Sequence, residues 1–203
     1  MHRQGIKNFP YYLGIRSLAD IATPADRVCV LNIMGGESRQ VTPVSHAFSD
    51  GNVVFGTSPG RAGQMLKTPV GDIPVFNNVR EGLDAGHAFN TGVVYLPPSG
   101  VRDGVAELIR VNPDLEKIVI ITEKIAIHDA REIRAMAQAN GVDIIGGNCL
   151  GVADSWNRVR IGGALGGDHP EESLIKGSVA IFSNSGGFTT TIAQYLATAG
   201  WGT

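Results

Sequence analysis

Cysteine is scarce in this chain, with Cys29 and Cys149 the two present in 203 residues. Cys29 falls in an apolar run and Cys149 in a glycine-rich loop, so no disulfide between them is expected and a reducing compartment is. They form no C-x-x-C, and no pair of the five histidines has metal-ligand spacing, so no metal site is expected. No apolar run nears the roughly 20 residues of a membrane span. Met1 to Tyr12 is polar and aromatic and lacks a signal-peptide core. A cytoplasmic location, with no membrane contact, is the expectation. Charge is also sparse, at 18% of residues with a formal net charge of −2, which argues against a nucleic-acid partner. Repeats and low-complexity tracts are missing. What remains is the composition of a soluble globular protein, 43% hydrophobic, long enough for one domain and the start of a second.

Glycine, by contrast, is abundant: 27 residues, placed where apolar runs end. Those runs read as strands at Val28–Ile33, Val53–Phe55, Pro74–Phe76, Val93–Leu96, Ile118–Ile121 and Val142–Ile145. Helical patterns fall between them, at about Val41–Ser49, Val79–Ala85, Gly104–Val111 and Asp129–Asn140, the last followed by Gly141 as a C′ glycine. Such alternation implies βαβ crossovers, hence an α/β fold with a Rossmann-like, doubly wound, mostly parallel sheet. Residues 1–26 read as an amino-terminal extension with a short helix over Ser17–Ile21, and 27–152 as the Rossmann-like domain. Residues 153–177 read as a connecting segment with a short hairpin around Arg160-Ile161-Gly162. A strand over Ser178–Phe182 and a helix over Phe188–Ala199 read as the opening unit of a second, truncated domain, 178–203.

In open α/β sheets ligands sit beyond the carboxyl ends of the strands, so those positions supply the candidates. The first strand runs into Gly35, Gly36, Glu37, Ser38 and Arg39, the phosphate-turn position, although the full G-x-G-x-x-G spacing is missing and a plain tight turn would look the same. The second strand ends in Ser58, Pro59, Gly60 and Arg61, without the acid that NAD-binding folds place there. Arg61 and Lys67 are instead positive, which suits a phosphorylated ribose, in CoA or NADP. Leu96, Pro97 and Pro98 leave the fourth strand, and Thr122 and Glu123 the fifth. The sixth runs into Gly146-Gly147-Asn148-Cys149, where Asn148 and Cys149 suit an amide-rich, thiol-tipped arm. Ser183, Asn184, Ser185, Gly186 and Gly187 precede a helix, where free N–H groups favour an anion and simple N-capping gives the same string. His87, in Gly86-His87-Ala88, imitates a phosphohistidine loop but falls on the amino-terminal side of the sheet and reads as structural.

Six segments in this order resemble the α-subunit of succinyl-CoA synthetase and the corresponding part of ATP-citrate lyase. They are Ser58–Gly63, Ile73–Glu81, Val94–Pro98, Ile121–Glu123, Ile145–Gly151 and Ser183–Gly187. The resemblance implies a CoA-binding domain of a nucleotide-dependent acyl-CoA ligase, followed by the start of a flavodoxin-like α/β domain. By the same resemblance Gly35 to Arg39 line the CoA phosphates or ribose, and Arg61 takes the place of the family's loop lysine. Leu96 to Pro98 with Thr122 and Glu123 border the pantetheine channel, and Asn148 and Cys149 lie near the thiol. Ser183 to Gly187 form the helix start that receives a phosphohistidine carried elsewhere. No catalytic residue is expected in this chain, whose partner is an ATP-grasp β-subunit or fused domain in an oligomer. The chain departs from the family at Gly147, which is usually proline, and at Asn184, which is usually arginine. Two rival readings are an NADP-binding oxidoreductase domain and a non-catalytic CoA-responsive or subunit-docking module.

Overall fold

β-branched runs punctuated by glycine fold as parallel strands buried on both faces, and the helical patterns supply the two layers that bury them. In the computed structural model, residues 2–4, 10–12, 21–163 and 165–203 are described. The sequence-based helix at Ser17–Ile21 lies, apart from Ile21, outside them.

The elements run β1 His2–Gln4, β2 Pro10–Tyr12, β3 Val28–Leu31, α1 Gly36–Phe48, β4 Val53–Thr57, β5 Met65–Leu66, β6 Ile73–Phe76 and α2 Val79–Asp84. After these come β7 Thr91–Val94, α3 Val101–Val111, β8 Lys117–Ile120, α4 Ile127–Asn140 and β9 Asp143–Gly146. The chain closes with β10 Val152–Asp154, β11 Val159–Ile161, α5 Pro170–Ser173 and α6 Gly186–Thr198. β1 and β2 form a separate antiparallel ribbon. The main sheet has seven strands in the order β5-β6-β4-β3-β7-β8-β9. Every neighbour in it is parallel except the edge strand β5, which runs antiparallel to β6. The chain starts at the centre, winds outward through β4 and β6, then returns to β7 and winds the other way. The switch point is therefore between β3 and β7.

Period-two alternation sends Cys29 and Leu31 of β3 to one face and Val28 and Val30 to the other. The first face packs Phe55, Val105, Leu108, Ile118 and Ile120 under α2, α3 and α4. Fully burying a side chain such as Leu108 or Ile118 is worth about 1.5–3 kcal/mol. The second face is covered partly by the expected hairpin, now β10–β11, whose Val159 and Ile161 sit in the core with Val28, Val30 and Val93. Its Arg160 is buried, and burial pushes that guanidinium down to about 10. The packed unit thus reaches past 152. It also begins before Arg27: Ala22 lies in the core, and Asp26 pairs with Lys117 at the edge where β3 and β8 begin.

Other expectations shift. Helix α1 begins at Gly36 rather than Val41, because the extended Gly35 serves as its N-cap and Pro43 is accommodated inside the helix. Gly141 ends α4 with φ +68°, as a C-terminal glycine should. The strand expected at Ser178–Phe182 does not form. A strand needs a ladder partner, and none of the described strands runs beside these residues. The Val179 N–H bonds the Gly202 carbonyl instead, at 3.3 Å, and Phe182 is exposed.

One buried histidine makes the fold sensitive to acid. His46, at the end of α1, accepts the Val53 N–H through Nδ1 at 3.0 Å. Burial, reinforced by Arg27, holds its pKa below the ordinary 6.5. The unfolded chain therefore takes up the proton first, and stability falls as pH drops below about 6.5 toward the lower folded value. Denaturant unfolding at pH 7.5 and 5.5 should show that loss, and His46→Asn, which keeps an acceptor but cannot titrate, should show a smaller one. An unchanged pH dependence in the variant would assign the slope to other groups.

Candidate functional site

The parallel strands deliver their following loops to one edge of the sheet, and the loops are tied together there. At the switch point Asn32, with φ +62°, donates through Nδ2 to the Tyr95 carbonyl at 3.0 Å, joining the ends of β3 and β7. The Thr122 hydroxyl donates to the Leu96 carbonyl at 2.6 Å, joining β8 to β7. The Asn148 N–H donates to the Thr122 carbonyl at 3.0 Å, bringing in the loop after β9. On the other side the Ser58 N–H donates to the Phe76 carbonyl at 2.8 Å, joining β4 to β6. The result is one continuous rim, and most sequence candidates stand on it.

They do not all face a ligand. Gly35 is packed so closely that a Cβ would lie 2.7 Å from Asn32 Nδ2, whereas nothing stands within 4 Å of Gly36. Gly36, Glu37 and Arg39 are exposed. Since α1 has no side-chain cap, the N–H groups of its first turn are open to an acceptor. Ser38 is turned inward, its hydroxyl donating to the Asn32 carbonyl, so it shapes the turn. Thr122 likewise serves the rim, while its neighbour Glu123 is exposed. Ser58 is buried, and Pro59 and Arg61 project into solvent. Lys67 is paired with Asp72 across the β5–β6 hairpin. Among the described residues no ion pair engages Arg61, which makes it the available cation of that loop. Pro97 and Pro98 are exposed and Leu96 is half-buried.

The loop after β9 turns sharply, with Gly146 at φ +104° and Asn148 at φ +59°. Asn148 is exposed. Cys149 Sγ accepts the Gly151 N–H at 3.2 Å, and burial pushes its thiol pKa up although that bond opposes the shift. Cys149 is thus a neutral thiol and a poor nucleophile near pH 7. The start of α6 comes to the same place: a Cβ on Gly186 would lie 2.4 Å from Leu150 Cγ. Cys149, Ile181, Ser183 and Thr189 share the wall of a cavity of about 510 Å³. Ser185 does cap α6, accepting the Phe188 N–H at 3.5 Å, and the Ser183 hydroxyl binds back to Ser185. Asn184 and Gly187 are exposed. His87 stacks against Phe55 and Phe76, with ring centroids 6.0 and 5.5 Å away, and takes no part in the rim.

Sequence reasoning missed Asn32 and Asn77. Each is an asparagine directly after a strand, where its side chain can bind backbone nearby; that was the available signal.

The family model for the CoA binding domain matches residues 33–124. Over those residues the chain is similar to a CoA binding domain, and over a longer span it is similar to subunits of ADP-forming CoA ligases. It is 31% identical over 180 residues to the ADP-forming sulfoacetate-CoA ligase subunit SqwL of an Acholeplasma species, covering 87% of this chain and 56% of that protein. It is 30% identical over 150 residues to the ADP-forming succinate–CoA ligase subunit alpha of Methanothermobacter thermautotrophicus, covering 74% of this chain and 46% of that one. The chain thus spans about half the length of these relatives. The fold is that of ATP citrate lyase from Methanothrix soehngenii, solved with citrate and coenzyme A. That match has a TM-score of 0.74 at 16% identity, over 90% of this chain and 30% of that chain. It is also that of acetyl-coenzyme A synthetase 1 from Ca. Korarchaeum cryptofilum, with a TM-score of 0.69 at 16% identity, over 88% and 37%. The matched window holds the rim from Gly35 to Glu123 and stops short of Asn148, Cys149 and the α6 start.

Proposed function

We propose that this chain is the CoA-binding part of an ADP-forming acyl-CoA ligase, which joins a carboxylic acid to CoA. The observation that carries the reading is the coincidence of the matched window, 33–124, with a rim whose exposed groups suit the parts of CoA in turn. Arg61, which no ion pair engages among the described residues, is the cation for the ribose 3′-phosphate. The open first turn of α1 offers N–H groups to the phosphates, and Glu37 accepts from a ribose hydroxyl. Leu96, Pro97 and Pro98 present an apolar edge to the pantetheine arm, flanked by Thr122 and Glu123. Asn148 and Cys149 stand at the thiol end. CoA supplies the sulfur that attacks an acyl phosphate, releasing phosphate and forming the thioester. Cys149, held neutral, does not compete for the acyl group. At the α6 start beside it the Phe188 N–H is capped by Ser185, which leaves the Gly186 and Gly187 N–H groups to receive a phosphoryl group, without the charge an arginine at 184 would add. No residue of this chain is assigned a catalytic role.

Titration calorimetry with CoA, dephospho-CoA and NADP tests this reading, with CoA expected to bind tightest. Losing a charged hydrogen bond costs roughly 1.5–3 kcal/mol, so Arg61→Glu should weaken CoA by more than tenfold, about 1.4 kcal/mol, and dephospho-CoA much less. Equal weakening removes Arg61 from the 3′-phosphate, and tighter NADP binding favours the oxidoreductase reading.

The complete ligase is proposed to include an ATP-grasp β-subunit or fused domain and to be oligomeric. α6 carries no charged residue and exposes Phe188, Ile192 and Tyr195 along one stripe, with Phe182 and Trp201 nearby. Such a face favours association. Sedimentation of the chain should show concentration-dependent self-association that Phe188→Ser with Tyr195→Ser reduces. A monomer at every concentration rules out this face as a self-association surface.

A further inference from the structure

The loop that carries Arg61 is exposed from Pro59 to Met65, and an exposed loop places a cation only if something fixes its backbone. Within it the Arg61 N–H closes on the Ser58 carbonyl at 3.0 Å, and Gly60 adopts φ +79°. On its far side the loop is held to β6, the Gly63 N–H bonding the Val75 carbonyl and the Gln64 carbonyl accepting the Val75 N–H, each at 3.0 Å; on the near side, at Gly60, the fastening comes from the residue after β6. Asn77 Oδ1 accepts the Gly60 N–H at 2.9 Å. The two ends of an amide side chain have nearly the same shape, so its direction is set by its partners. Asn77 Nδ2 faces Glu81 Oε1 at 3.4 Å, and a carboxylate can only accept. That turns Oδ1 toward Gly60.

Glu81 is itself held. Its Oε2 accepts the Asn77 N–H at 2.9 Å and its Oε1 accepts from Asn78 Nδ2 at 2.8 Å, while the Glu81 N–H is capped by Asn78 Oδ1 at 2.9 Å. The Val79 N–H, at the start of the same helix, bonds Glu107 of α3 at 2.9 Å. Gly60 is therefore anchored through two side chains to the helical layer.

We propose that Asn77, oriented by Glu81, is a positioning residue that sets the Arg61 loop for the ribose 3′-phosphate of CoA. This rests on the reading of Arg61 given above. Asn77 touches no ligand; it acts through Gly60 and the peptide that follows.

The test is calorimetry on the full chain with CoA and dephospho-CoA, the latter binding also reporting that a variant is folded. Asn77→Ala is expected to weaken CoA about threefold to tenfold, the equivalent of one hydrogen bond, and to leave dephospho-CoA within about twofold. Adding Asn77→Ala to Arg61→Ala is expected to change CoA affinity no further. Asn77→Asp sets a carboxylate against Glu81 and should weaken CoA selectively. Asn77→Asp with Glu81→Gln restores a donor facing an acceptor; because Asn78 Nδ2 also points at that atom, Asn78→Asp is added, which still caps the helix and accepts from the new amide. This set should recover most of the loss, which a simple cavity or stability effect would not. Should Asn77→Ala not fold, this set decides alone: no recovery overturns the proposal. Equal loss of both ligands in Asn77→Ala, or an undiminished effect without Arg61, overturns it while leaving the Arg61 reading intact. Arg61→Ala weakening both ligands equally overturns the Arg61 reading, and this proposal with it.

Discussion

Lys117→Met is expected to destabilise the protein by about 3–5 kcal/mol, the penalty for leaving a buried charge without its partner. The charge is the Asp26 carboxylate, 1% exposed. Lys117 Nζ lies 2.8 Å from its Oδ1 and also donates to the Ile21 carbonyl at 3.2 Å. The Thr91 hydroxyl and the Thr23 N–H complete the shell at 2.8 and 2.7 Å. Those two neutral donors cannot replace an ammonium. The cluster sits where β3, β7 and β8 begin, so it latches residues 21–26 to the sheet at the edge opposite the rim proposed for CoA. Asp26→Asn with Lys117→Met, which removes both charges, should recover a large part of the loss. Denaturant unfolding measures both variants, and calorimetry should find CoA affinity of the folded fraction unchanged. A single-variant loss below about 1 kcal/mol, the range of exposed pairs, would mean that water reaches the carboxylate and the latch is not buried in solution.

That latch shows where sequence and structure part. The sheet was legible because its strands, buried on both faces, are unbroken β-branched runs such as Ile118–Ile121, and because glycine marks their ends. Their parallel, doubly wound character was legible too, since alternation of strands and helices implies right-handed crossovers; the strand order was not. Asp26 and Lys117 were invisible: they stand 91 residues apart, and nothing local distinguishes either from a surface charge. The rim was read from strand ends alone, which located Arg61 and Cys149 but could not say that Ser38 and Thr122 turn inward. Whether a hydroxyl faces a ligand or a neighbouring carbonyl is decided across the sheet, by Asn32 and Leu96. Ser178–Phe182 misled for the opposite reason. Its apolar pattern is local and strand-like, but strand formation is not local, and without a ladder neighbour it stays irregular. Lys67 misled similarly, because its partner Asp72 lies across a hairpin, β5–β6, that the sequence reading did not contain.

Gly146→Ala is expected to damage both stability and CoA binding. Gly146 ends β9 at φ +104°, a region that side-chain-bearing residues occupy at a cost of about 1–3 kcal/mol. Space is short as well: the new Cβ would lie 2.3 Å from the Ile120 carbonyl oxygen and 3.1 Å from Cys149 Cβ. The first neighbour is backbone of a central strand and cannot rotate away. That oxygen also receives the Cys149 N–H at 3.3 Å, so relief of the clash pulls the 147–151 loop from the rim. Strain and displacement together should cost about 2–4 kcal/mol. Gly141→Ala separates the two causes. Gly141 also has positive φ, +68°, but nothing stands within 4 Å of its Cβ position, so it bears the conformational penalty alone, about 1–2 kcal/mol. Unfolding in denaturant should rank Gly146→Ala as clearly the worse variant, and calorimetry should show CoA weakened only there. Equal losses in stability with CoA affinity retained in both would mean that the ends of β8 and β9 yield without moving Asn148 and Cys149, and that this loop does not border the CoA thiol.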